Sequence, residues 1–177
     1  MSMSHKAFVF DYARFERELR ERLLAALAQD DSRPIEAFIT LQREALKDPY
    51  EGAPLRSDWR SVFRPTDVQA YADFALTKYY EPQDDIGLGS DWQAASEAIA
   101  AAGIAGDLVL GTALAVGDVC FDPGRQGAYF QSEADVERHR QELAALAAAP
   151  GCPEPLRAAL RMLESAAALG RGLYVTF

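Results

Sequence analysis

Tyr12, Phe15, Leu19, Leu23 and Leu27 recur every three or four residues, which places them on one stripe of a helix. Asp11 stands just before them and can accept from the free N–H groups of a first turn, so the pattern predicts a helix from about residue 11. Glu16 and Glu18 each precede an arginine by four residues on the opposite side. Such pairs contribute only about 0.2–0.5 kcal/mol each, and the charge run reads as a solvated face. DDSRP, 30–34, ends this helix, and Pro34 suits the first turn of the next. Ile35, Phe38, Ile39, Ala45 and Leu46 mark the second helix's buried side, and Asp48-Pro49 closes it. The short connection predicts an antiparallel helical hairpin.

An irregular connector, 48–65, follows, with one short helical turn around Trp59. Thr66 and Gln69 have the spacing of a capping box and open a helix from Asp67 to Tyr80. Val68, Tyr71, Ala72, Phe74, Ala75, Leu76, Tyr79 and Tyr80 cover more than one stripe, as expected of a helix central in its bundle. Pro82 stops it, and DDIGLG, 84–89, is a turn-rich loop. Ser90 and Gln93 give a second capping box for a helix running to about Ala102, with Gly103 as its stop. DLVLGTALAV, 107–116, is a continuous apolar run whose length fits a buried strand or a buried helix. Its helical surroundings favour helix. Ser132 caps a helix through about Ala147, PGCPEP at 150–155 is a turn, and a last helix carries Leu156, Ala159, Leu160, Leu163 and Ala167. LYVTF, 173–177, alternates and can pair with KAFVF, 6–10. The expected fold is mainly α: one domain over 1–177, a bundle of about six helices with a small terminal β pairing, preceded by a mobile tail at 1–6 that holds His5.

Charge adds one localised feature. The formal net charge is −9, which opposes nucleic-acid binding because that requires a basic surface. Residues 1–47 carry eight basic and eight acidic side chains, whereas 48–131 carry five and thirteen. From Tyr79 to Gly124 there is no lysine or arginine, while Glu81, Asp84, Asp85, Asp91, Glu97, Asp107, Asp118 and Asp122 all fall there. Aromatic side chains, Tyr80 and Trp92 among them, accompany these acids. Together they describe a docking face for a basic protein, where complementary potential speeds encounter. The expected contact set is Tyr80, Asp84, Asp85, Asp91, Trp92, Asp118 and Asp122, with Arg125 at its edge.

The chemistry-bearing residues point less sharply. FDPGRQGAYFQS, 121–132, has glycines but neither the lysine nor the serine or threonine of a phosphate loop. Asp122-Pro123-Gly124 reads as a tight turn, with the glycine at positive φ and Phe121, Tyr129 and Phe130 anchoring its ends. Two histidines, His5 and His139, and two cysteines, Cys120 and Cys152, lack zinc-site spacing. His139 falls on the inner side of its helix beside Val136 and Leu143. Asp84, Asp85, Asp91, Asp118 and Asp122 are hard oxygen donors, yet no EF-hand loop is present. No nucleophile elbow is present either. The expectation is therefore a cytoplasmic binding protein, with no cofactor, no metal, no membrane segment and no catalytic residue. Two alternatives stand beside it: an enzyme using carboxylates or a divalent cation near the 84–91 and 118–130 loops, and a structural homodimer.

YADFALTKYY, DDIGLG with Trp92 after it, and FDPGRQGAYFQS together resemble a small bacterial helical family. In overall type the chain is similar to immunity proteins of bacterial toxin systems, which are often small, acidic and cytoplasmic. That resemblance implies a toxin as partner and carries no residue roles.

Overall fold

The computed structural model describes residues 3–62, 67–104 and 107–177. Successive side chains of strand β1 (Lys6–Phe10) point to opposite faces of the sheet. Phe8 and Phe10 enter one apolar cluster, and Ala7 and Val9 face another. Strand β6 (Gly172–Thr176) pairs antiparallel with it, Lys6 opposite Thr176 and Phe10 opposite Gly172, as the terminal pairing predicts. Tyr174 joins the first cluster; Leu173 and Val175 join the second. A sheet apolar on both faces must be covered on both, and here helices cover it.

One layer is built from the N-terminal helices. Asp11 caps α1 (Tyr12–Phe15) by accepting from Arg14 N. A π-helical segment, Glu16–Arg20, leads into α2 (Glu21–Gln29). Asp30 at φ 49 breaks that helix, and α3 (Arg33–Gln42) returns beside it. Ala45, expected inside, is exposed because the chain leaves α-geometry at Arg43. A short α4 (Trp59–Val62) supplies the helical turn around Trp59, and Trp59 is buried. Helix α5 (Val68–Leu76) lies at the centre of this layer. Its cap is Asp67, accepting from Ala70 N; Thr66, the expected cap, lies outside the described residues. The other layer holds α6 (Trp92–Ala101), α7 (Glu133–Ala147) and α8 (Glu154–Ala168). Asp91 rather than Ser90 is the N-cap of α6, without a side-chain capping bond. Ser132 and Asp135 form a full capping box on α7.

The sheet is larger than the expected terminal pair. Strand β5 (Ala128–Gln131) pairs with β6, and β2 (Thr112–Ala113) pairs with β5, giving the order β1-β6-β5-β2. A hairpin of β3 (Ala115–Val116) and β4 (Val119–Cys120) stands apart. The helix favoured for 107–116 is therefore replaced by a turn and short strands. Gly111 sits at φ +95 with its backbone against Phe130 O, which no helical residue could match. FDPGRQGAYFQS contributes β5, and Phe121 and Phe130 are buried as anchors. Gly124 is not the left-handed residue; Arg125 (φ 55) and Gly127 (φ 108) are.

His5 does not belong to a mobile tail. It is 1% exposed, its backbone pairs with Gly89, its Nδ1 accepts from Leu88 N at 3.2 Å, and its Nε2 lies 3.3 Å from Val109 O.

Candidate functional site

The DDIGLG loop is the first structural surprise near the acidic stretch. It runs along the free edge of β1: Ile86 N donates to Ala7 O, and the Asp85 carboxylate accepts from Ala7 N at 3.0 Å and Gly87 N at 2.8 Å. A side chain at Gly87 would lie 2.3 Å from His5 O, so the glycine allows this approach. The loop covers a strand edge that would otherwise expose unpaired backbone groups.

A cleft of about 380 Å³ opens beside this edge. That size suits a small ligand or one inserted side chain. Three segments converge on it. The loop after α3 supplies Pro49 and Tyr50. Asp48 shapes that loop: its Oδ1 accepts from Tyr50 N and Glu51 N, both at 2.7 Å. Its Oδ2 is buried and has no partner among the described residues. The loop is tied to the end of α5, where Thr77 Oγ1 accepts from Lys47 N and Lys47 pairs with Glu81. Tyr50 is thereby held at the cleft, and the residue is 78% exposed.

Helix α5 supplies Asp73. It is 7% exposed, lines the cleft, and makes no ion pair among the described residues. Burial pushes its carboxyl up to about 7, against a lowering hydrogen bond with Tyr50 and with a further push from Asp48. Tyr80, Phe8 and Tyr174 form the inner wall, with ring centroids 4.9 Å apart for Phe8 and Tyr80 and 5.2 Å for Tyr80 and Tyr174. Burial raises both tyrosine hydroxyls well above their ordinary range, so they stay protonated. Lys6, Asp85 and Gly124 complete the mouth.

The expected contact residues divide. Tyr80 and Asp85 line the cleft. Trp92 borders it through Phe177, at 5.1 Å between ring centroids, and donates from Nε1 to Met3 O. Asp122 precedes the cleft residue Pro123, but its carboxylate accepts from Gln126 N and Gly127 N and so serves the turn. Asp84 and Asp91 flank the covered edge and are exposed. Arg125 is exposed on the turn. Asp118 is elsewhere, at the tip of the β3–β4 hairpin that packs on α2. Asp107 caps Val109 N and Leu110 N. Four of the eight acids, Glu81, Asp85, Asp107 and Asp122, thus have internal partners, and Asp91 accepts only from the neighbouring Ser90 Oγ, at 3.5 Å; the carboxylates of Asp84, Glu97 and Asp118 have none among the described residues.

Asp73, Tyr50 and Tyr174 were not among the expected site residues. The signal available for Asp73 is its setting in YADFAL, a lone acid inside a helix that is apolar on most sides. Such a group is buried or functional, since an isolated buried charge is costly.

A second, smaller cleft surrounds His139, and its polar groups are matched to one another. His139 Nδ1 donates to Gln131 Oε1 at 2.8 Å, Arg138 reaches Nε2 at 3.2 Å, and Arg138 also holds Asp135 at 2.6 Å. Burial and the Arg138 charge lower the His139 pKa. This arrangement is a self-contained packing network. Among the described residues no three His, Cys, Asp or Glu side chains are grouped to hold a metal ion, and no helix is long and apolar enough to cross a membrane. No family model, curated protein or solved structure matches the chain.

Proposed function

We propose that the protein is a binding module for a basic protein partner, docked over the cleft between the 49–50 loop, α5 and the covered edge of β1. One observation carries this reading: a buried carboxylate without a counter-ion, Asp73, opens into a tyrosine-lined cleft that Asp85 also lines, with the exposed acid Asp84 next to it in the chain and the exposed acid Asp91 beyond the same loop. A basic surface would supply the missing positive charge, and the exposed acids would steer its approach. Inhibition of a basic toxin by an immunity protein is the form that the family resemblance suggests.

Co-purification from the native cell, eluted by a salt gradient, tests this. The expected partner is a basic protein released at moderate salt. Replacing Asp84 and Asp91 by lysine should weaken its affinity about tenfold or more and flatten the salt dependence. Unchanged affinity and salt dependence would place the partner's footprint elsewhere.

A second reading has its own observation. A carboxyl raised to about 7 inside a cleft is suited to proton transfer near neutral pH. An acid–base enzyme at this cleft would require Asp73 to reach its substrate. Turnover that survives Asp73→Asn with an unchanged pH profile would exclude that role.

A further inference from the structure

Resting on the docking reading, we propose that the cleft receives one basic side chain of the partner, an arginine guanidinium or a lysine ammonium, with Asp73 as its counter-ion and tyrosine rings as its walls. Three features select this occupant. An ionised carboxylate only accepts hydrogen bonds, and Asp73 has the neutral Tyr50 hydroxyl as a donor but no ion pair among the described residues, so it has room for a charged donor. Tyr50, Tyr80 and Tyr174 border the same space, and aromatic faces attract organic cations. Asp73 and Asp85 are the two acids lining the cleft, and a basic side chain brings its own hydrogen-bond donors to them.

The groups around Asp73 divide cleanly by role. Asp48 lies behind it in the 48–52 turn and adds negative potential. Tyr80 and Tyr174 remain neutral walls, while Tyr50 is an exposed wall whose hydroxyl also hydrogen-bonds Asp73. Asp85 is held at the mouth by two backbone amides. Lys6 is the one basic residue lining the cleft and is exposed. It makes no ion pair among the described residues, so it competes electrostatically with an entering cation.

The test uses methylguanidinium and n-butylammonium as probes, with N-methylurea as a neutral match in shape. Amide shifts of the full chain are followed by ¹⁵N–¹H spectroscopy. The expected result is saturable shifts at Tyr50, Asp73, Tyr80 and Tyr174 with either cation and none with N-methylurea. Comparing the two cations separates an arginine from a lysine preference. Asp73→Asn should weaken binding about tenfold or more, as expected when a desolvated charge partner is removed. Lys6→Gln should strengthen it, a gain that damage to the fold cannot mimic. Tyr50→Ala, at an exposed ring, should weaken it with the fold intact. Absence of saturation, equal response to N-methylurea, or no change in any of the three variants would overturn the inference. Its failure is separable from that of the docking reading. A basic partner that binds Asp73→Asn and Tyr50→Ala normally leaves docking standing and removes the inserted side chain. Cation capture in a protein with no basic partner does the reverse.

Discussion

Asp73 should leave a signature in the pH dependence of stability. Its folded carboxyl sits at about 7 against an ordinary 3.8. A raised acid favours folding while protonated and loses that advantage as pH climbs through this window. At about 1.4 kcal/mol per pH unit, the loss reaches the order of 4 kcal/mol by pH 8. Asp73→Asn removes the penalty. Its stability advantage over wild type in urea should therefore grow from pH 4 to pH 8; a constant difference would show that Asp73 ionises freely. His5 and His139 act in the opposite sense. Burial lowers both, so their contribution is complete above about 6.5 and falls as the pH drops below it. In the Asp73→Asn background this acid-side loss should stand alone, and urea midpoints between pH 7 and pH 5 should decrease. The composition shows many acids, but which one is dry depends on contacts between residues 48–50 and 73. That separation hides the site from local pattern, and YADFAL is its only local trace.

The helices were legible because their apolar stripes and caps are local. Asp11, Pro34 and Ser132 act where the pattern places them. Strands β1 and β6 also show, as short runs of β-branched and aromatic residues. Strands β5 and β2 do not, since four residues and two residues are too short to establish a period. DDIGLG reads as a loop and is one, yet its role as an edge cover depends on β1, some eighty residues away. Gly87→Ala tests that role. Its new methyl would meet His5 O and the β1 backbone, so stability should fall by about 1–3 kcal/mol. Hydrogen exchange at Ile86 and Gly89 should accelerate first, because their bonds join the loop to β1. Unaltered protection there would mean that the edge tolerates separation. Ser132→Ala should cost about 1 kcal/mol in urea denaturation by opening the capping box of α7.

At the scale of the whole molecule, the two helical layers around a central sheet leave one cleft at the sheet margin, where the 48–52 turn, α5 and the DDIGLG loop meet. The acid-only stretch is not one uniform face: half of its carboxylates are engaged inside the protein, and Asp118 stands away on the β3–β4 hairpin. Of the residues that charge along the chain singles out, Tyr80 and Asp85 line the cleft, whereas Asp73, Tyr50 and Tyr174 lie outside that set. Capture of a basic side chain in this cleft depends on the ionised form of Asp73. Calorimetric titration with a glycine-flanked arginine peptide between pH 5.5 and pH 8.5 tests it most directly. His5, on the other side of β1, has its pKa lowered by burial and so is neutral over most of this range. Affinity should rise towards about tenfold per pH unit below 7 and level off above it, with this rise absent in Asp73→Asn. The same flat profile in wild type and variant would contradict the claim.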